Sequence, residues 1–344
     1  MSYTPAQFRA LWPEFAAPSW ARWASIEDAC FGIEPADPDL VRSVTGRETL
    51  PSAPVNECYI IAGRGAGKSR WCARLAVFMA VGRTYRRAPG ERIYCGIFAP
   101  DRKQARVTFA YVLGLLREVP VLSGMIVREL RESIELSNGV TIEVITASKA
   151  APRGRSYALA IVEEAAFLPS DDSTEPDVEV LRALRPALAR VPGSLLAVVS
   201  SPYARRGALW QAHRSWYGLP SDEVLVVQAD TRTLNPSFAV AEIERAYRDD
   251  PASAAAEYGA EFRSDVSGFV TREALDACTV PGRLEAAGHG EPAGRRPRGR
   301  RADAFRPRDQ PAVPALPHRG PADAAAVAQG DDGETRSDGG DAGD

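Results

Sequence analysis

Lysine is almost missing from this 344-residue chain. Lys68, Lys103 and Lys149 are the only three, and every other basic residue is arginine. A GC-rich coding sequence accounts for that bias, and it makes Lys68 conspicuous. Histidine is equally scarce, and His289 and His318 show no metal-site spacing. The five cysteines (Cys30, Cys58, Cys72, Cys95, Cys278) include no CxxC pair. That pattern argues against a zinc ribbon or a redox dithiol and for reduced, buried thiols. There is no leader-like segment and no apolar run long enough to span a bilayer, so a soluble, intracellular protein with no membrane partner is expected. The net charge is −3, from 42 basic and 45 acidic side chains. No global basic field marks a nucleic-acid binder, so a local patch would have to serve.

Against these absences stands one glycine-rich segment, Ala62-Gly63-Arg64-Gly65-Ala66-Gly67-Lys68-Ser69. It fits the phosphate-binding loop pattern with Ala in place of the first Gly. The apolar run 58–61 before it predicts a buried strand. Residues 70–80 after it predict a helix, with Trp71, Leu75, Phe78 and Met79 at helical spacing. Small residues let backbone N–H groups wrap a phosphate, and the helix N-terminus adds partial positive charge. In this reading Gly63, Arg64, Gly65, Ala66 and Gly67 form the cradle. Lys68 reaches the β- and γ-phosphates of ATP, and the Ser69 hydroxyl holds Mg²⁺. The bland alternative is a glycine-rich turn that binds nothing.

The chain allows about two domains. Residues 1–55 are helical and aromatic, either a lid beside the nucleotide site or an ordinary helical cap over a sheet. From Cys58 onward strands and helices alternate, as in a mainly parallel sheet flanked by helices, an α/β P-loop ATPase domain over 56–265. Strands are expected at 92–99, 133–136, 140–146, 159–162, 195–200 and 224–228, with a hairpin turn at Ser137-Asn138-Gly139. Helices are expected at 104–116, 178–189, 208–217, 240–248 and 252–262. Residues 266–284 read as a linker. Residues 285–344, dominated by Ala, Gly, Pro, Arg and Asp, read as a disordered tail, because so little apolar surface cannot offset chain entropy. The Arg-rich stretch 295–301 is either a nucleic-acid contact or a solvated charge run.

A phosphate loop needs an acidic partner. Leu159-Ala160-Ile161-Val162-Glu163-Glu164 is an apolar strand ending in two acids. Glu163 would hold Mg²⁺, and Glu164 would polarise the attacking water. The alternative is two exposed acids at a helix start. Ser200-Ser201-Pro202 closes another apolar strand, and hydroxyls there could sense the γ-phosphate. The order of these elements is typical of ATPases with an extra strand between loop strand and acidic strand, and 92–99 or the hairpin is expected to fill that interval. Arg64, Arg153, Arg155, Arg205 and Arg206 are candidates for stabilising transition-state charge or touching a DNA phosphate. Arg64 is favoured because its neighbours are committed to phosphate.

These segments, together with 99–106, 133–144, 163–167, 200–210 and 256–265, resemble the large subunit of tailed-phage terminase, of the kind carried in prophages. The resemblance covers roughly residues 10–283. It implies an ATP-driven motor that moves double-stranded DNA into a procapsid. It also implies a small terminase subunit and a portal protein as partners, and a homo-oligomeric ring. The place of action would be the bacterial host cytoplasm and, transiently, the procapsid portal. Carried onto this chain, Lys68 and Ser69 bind phosphate and Mg²⁺, Glu163 takes the metal place, Glu164 and Arg64 the catalytic places, and Ser200-Ser201 the coupling place. Two departures stand out. Glu163 replaces the family's usual Asp. No nuclease domain follows residue 283, so nuclease activity is not expected, and the tail composition is that of GC-rich DNA read out of frame. Two alternatives remain: a truncated prophage remnant that only binds nucleotide or DNA, and another DNA-dependent P-loop ATPase or helicase.

Overall fold

The computed structural model describes residues 3–146, 154–169 and 175–264. By its contacts the chain divides into Met1–Pro281 and Gly282–Asp344. The second unit, the tail, the whole linker at 266–284 and Arg153 all lie outside the described residues.

Strands β1 (Glu57–Ala62), β2 (Ile93–Ala99), β3 (Ile126–Glu129), β4 (Ser133–Leu136), β5 (Val140–Thr146), β6 (Ser156–Glu163), β7 (Leu195–Ser200) and β8 (Val224–Ala229) form one sheet. Its order is β3-β4-β5-β2-β6-β7-β1-β8. From β5 to β8 every pairing is parallel, whereas β3 and β4 run antiparallel at one edge. β6 and β7 are buried along their whole length. That suits near-continuous apolar runs, because strands covered on both faces gain from burying every side chain.

The helices are α1 (Pro5–Arg9), α2 (Pro13–Ala16), α3 (Ala21–Cys30), α4 (Pro38–Thr45), α5 (Lys68–Val77), α6 (Arg102–Glu118), α7 (Pro120–Ser123), α8 (Pro176–Leu188), α9 (Gly207–Trp216), α10 (Thr231–Leu234), α11 (Val240–Asp249) and α12 (Pro251–Glu257). Alternate strand residues serve opposite faces. Ile60, Ile97, Ile161 and Val199 share one core with α3, α5 and α6. Ile61, Val162 and Val198 share the other with α8 and α9. The aromatic N-terminal segment is part of the first core: Trp23 stacks on Trp71 with ring centroids 5.2 Å apart, and the Trp12 indole donates to the Leu115 carbonyl.

The structure corrects the expected sheet order. The strand between β1 and β6 is β7, not 92–99 or the hairpin, both of which lie beyond β6. The physical reason is burial: β7 (LLAVVS) carries no charge and fills the centre, while the hairpin ends in the partly exposed β3. The last helix also ends early, at Glu257 rather than near 262. Its final carbonyls turn outward: that of Glu257 accepts from the Arg64 N–H and that of Tyr258 from the Thr231 N–H. The edge strand β3 has no counterpart among the expected elements, because three of its four residues are exposed and carry no apolar period.

Candidate nucleotide site at the carboxyl ends of the central strands

The glycine-rich segment leaves β1, turns at Gly65 and Gly67 (φ +78° and +97°) and enters α5 at Lys68. Side chains claim its outward carbonyls. Thr231 Oγ1 donates to the Arg64 carbonyl, Asn235 Nδ2 to that of Gly65, and Trp23 Nε1 to that of Ala66. A Cβ on Gly63 would lie 2.2 Å from Thr231 Oγ1, and one on Gly65 2.3 Å from the Phe238 ring, so both positions need glycine. Among the described residues the N–H groups of Gly65, Gly67, Lys68 and Ser69 donate to no protein acceptor. Carbonyls anchored outward and N–H groups left inward are what an oxyanion cradle requires.

Lys68 is 8% exposed. Its Nζ donates to the Ala62 carbonyl at 3.0 Å, the Gly63 carbonyl at 3.1 Å and Ser201 Oγ at 2.9 Å. Burial pulls its pKa below the usual lysine value, and the nearby Glu164 carboxylate opposes that. Ser200 lies beside Ser201. Its hydroxyl is 2.7 Å from the Ser201 carbonyl and 3.3 Å from Glu164 Oε2. Lys68, Ser201, Ser200 and Glu164 therefore form a continuous path across the ends of β1, β7 and β6, on which the sequence-predicted residues meet. Glu164 has φ +48°, a left-handed conformation strained for a residue other than glycine. That turn carries the chain from β6 into a short 3₁₀ turn, Ala165–Phe167.

Glu163 is 2% exposed and points to the opposite side, toward α5 and α6. Thr108 donates to its Oε2 at 2.6 Å. Among the described residues its Oε1 has no hydrogen-bond partner. Burial, with the neighbouring Glu164 charge, pushes its pKa up to about 7, while the Thr108 hydroxyl opposes the rise. An orphaned carboxylate oxygen near a helix-start hydroxyl is the donor set that a small divalent cation completes. Among the described residues no cluster of three or more His, Cys, Asp or Glu side chains could hold a metal. Ser69 and Glu163 offer one hydroxyl and one carboxylate, a number of protein ligands that Mg²⁺ would accept with phosphate oxygens and water filling the rest.

The arginines separate. Arg64 is exposed and paired with Glu257. Arg155 is bound to Glu143 just before the first residue of β6, at the end of the strand far from Glu163. It is therefore not brought to this site. Arg205 lies over the Trp210 ring, and Arg206 precedes α9. Gln104, Thr108, Thr231, Asn235 and Glu257 are site neighbours that sequence reasoning did not single out, whereas Trp23 belongs to the aromatic segment for which a lid beside the nucleotide site was one of two readings. One signal was available: Thr108 interrupts the apolar stripe Ala105, Val112, Leu115 and Leu116 on α6. One turn earlier, Gln104 Nε2 approaches Ser69 Oγ at 3.5 Å.

No family model matches the sequence, and no curated protein is significantly similar to it. Solved structures do match. The HK97 bacteriophage large terminase aligns at 18% identity and a TM-score of 0.50, over 76% of this chain and 58% of that one. The Thermus phage P74-26 large terminase ATPase domain aligns at 21% identity and 0.46, over 68% and 96%. The large terminase of a thermophilic bacteriophage, solved in complex with ADP, aligns at 14% identity and 0.43, over 65% and 53%. This chain thus spans a little over half the length of the HK97 protein. In its eight-stranded sheet and flanking helices it shares its fold with the HK97 large terminase, a member of the family that its loop, acidic strand and hydroxyl-tipped strand resemble.

Proposed function

We propose that this chain is an ATP-hydrolysing motor subunit that moves double-stranded DNA during phage DNA packaging. The observation that carries the reading is the unbroken path from Lys68 through Ser201 and Ser200 to Glu164. Water attacks the γ-phosphorus, the bond to the β-phosphate oxygen breaks, and ADP and phosphate leave. The loop N–H groups and Lys68 hold the phosphates. Glu164 orients the water and accepts its proton. Arg64 offers charge to the phosphoryl oxygens. Ser69 and Glu163 would hold Mg²⁺, which supplies charge neutralisation between the phosphates when bound. Ser200 and Ser201 report the phosphate state: when Lys68 turns to a phosphate it releases Ser201, and that change passes along the Ser200 contact to Glu164.

In this reading Arg205 and Arg206, which follow the coupling serines after Pro202, Tyr203 and Ala204, face the DNA backbone. The implied partners are a small terminase subunit, a portal protein and further copies in a ring, acting in the host cytoplasm and at the procapsid portal. ATP hydrolysis by the full chain, with and without linear double-stranded DNA, tests the proposal. The expected result is magnesium-dependent turnover that DNA raises several-fold, with the stimulation lost as salt rises. Hydrolysis indifferent to DNA favours a non-packaging ATPase. Nucleotide binding without hydrolysis favours the remnant.

Thr108→Val tests the support behind Glu163. It keeps the side-chain shape but removes the donor at 2.6 Å. The magnesium concentration for half-maximal hydrolysis should rise about tenfold, the scale on which an outer hydrogen bond tunes a metal ligand. Thr108→Ser should restore it. An unchanged magnesium titration would contradict the assignment of Glu163.

A further inference from the structure

At the end of the sheet opposite the phosphate loop lies a cavity of about 350 Å³. Its lining includes Ile93 and Val140, the first residues of β2 and β5, together with Leu11, Val81, Leu122 and Met125. It opens where α5 gives way to a five-residue π-turn, Phe78–Gly82, whose Gly82 carbonyl accepts from the Tyr3 N–H. Such turns are rare and concentrate at functional sites. Two polar side chains of the wall are turned to backbone. The Tyr85 hydroxyl donates to the Met79 carbonyl at 2.7 Å, and Asn138 Nδ2 to that of Ala80 at 2.8 Å. The lining also holds two arginines, Arg83 and Arg87, and no acid. Among the described residues neither guanidinium pairs with a carboxylate. Arg83 lies over the Phe31 ring at 5.7 Å. Arg87 is laid against the hairpin turn, where a Cβ on Gly139 would lie 2.3 Å from its Nη1. That nitrogen donates to the Glu91 carbonyl at 3.3 Å.

We propose that this cavity binds a small free molecule with an apolar body and one carboxylate, of the class of medium-chain fatty acids. None of its lining residues belongs to the nucleotide site, so the proposal stands apart from that reading. Size sets the apolar body. An apolar cavity of about 150 Å³ stays dry and takes up benzene, so one more than twice as large suits a chain of about ten carbons. Taking that chain out of water drives entry. Charge sets the head. Arg87 is exposed and Arg83 half-buried, so both stand where a guest's polar end would remain near water. A guanidinium holds a carboxylate through two parallel hydrogen bonds, and neither arginine has an ion pair to give up first. A neutral guest forgoes those bonds, and an amine is repelled. The end of a peptide chain fits less well, because Tyr85 and Asn138, which could bond its amides, are already engaged.

Calorimetric titration of the full chain with decanoate, and with decan-1-ol and decylamine beside it, tests this. Decanoate should bind once per chain with a Kd of about 10–100 μM. Decan-1-ol should bind about tenfold more weakly, and decylamine more weakly still. Arg83→Gln together with Arg87→Gln should bring decanoate down to the level of decan-1-ol, with decan-1-ol binding and the melting temperature unchanged. Val81→Phe puts a ring into the cavity and should abolish binding of both. If that variant does not fold, the two arginines, whose side chains reach water, decide the matter alone. Decan-1-ol binding as tightly as decanoate would overturn the proposal, leaving a hole without a preferred head group. Decanoate binding that ignores the arginine variant, or that takes up many molecules per chain, would place it elsewhere on the protein and overturn it too. So would sedimentation showing a dimer that decanoate dissociates, since the cavity would then belong to a second copy of the chain.

Discussion

Lys68→Ala should abolish ATP hydrolysis, lowering kcat/KM by a factor of about 10³ or more. Lys68 is the one lysine of the phosphate loop in a chain that writes nearly all its positive charge as arginine. Its ammonium sits in a buried position where water cannot replace it, and its three donations already point to the loop carbonyls and Ser201. The variant removes the cation from the phosphates and cuts the path to Glu164 at its first link, so both binding and coupling suffer. The fold should persist, since a buried ammonium is costly to desolvate and its loss relieves that cost. Circular dichroism and a melting curve check this beside steady-state hydrolysis and nucleotide binding. Turnover within tenfold of the original would refute the site assignment.

Glu27→Ala should produce the largest loss of stability. Glu27 on α3 is fully buried, with Arg9 at 2.6 Å and Arg74 at 2.6 Å on its two oxygens. Arg9 keeps a second partner in Asp28 at 2.8 Å. Arg74, 1% exposed in the last turn of α5, pairs among the described residues with Glu27 alone, and its Nε and Nη1 meet no hydrogen-bond acceptor there. Removing the carboxylate leaves a guanidinium buried without counter-charge, a change that costs about 3–5 kcal/mol. For a domain of this size that lowers the melting temperature by roughly 10 °C. Glu27→Gln keeps the volume but not the charge, and should lose nearly as much. The damage reaches the site as well, because α3 carries Trp23, whose indole anchors the Ala66 carbonyl at 2.7 Å. Nucleotide affinity should fall along with stability. A melting temperature within about 2 °C of the original would show that Arg74 finds another partner.

Much of this was legible in the chain itself. The strands around Ile60, Ile161 and Val198 announce themselves because a parallel strand buried on both faces must be apolar throughout. The hairpin at Asn138-Gly139 follows from local backbone preference, and Gly139 takes φ +83°. Asp101, Asp230 and Asp250 cap α6, α10 and α12 with their own side chains, another effect readable over three or four residues. The edge strand β3 and the early end of α12 were not legible. The first has no apolar pattern, and the second is set by partners at Arg64 and Thr231, distant in sequence.

The sequence by itself determined that a glycine-rich loop between a strand and a helix, an acidic strand end and a hydroxyl-bearing strand end exist, because each is written in adjacent residues whose chemistry and period are local. Only the tertiary structure decided how they meet. It inserted β7 between β1 and β6, so that Ser201 and Ser200 bridge Lys68 to Glu164. It turned Glu164 through a left-handed backbone, set Thr108 behind Glu163, and brought Glu257 to Arg64 across nearly two hundred residues. Those contacts depend on which apolar faces close against one another. The chain settles that by burying area, which is not directional, and no short stretch of sequence carries it.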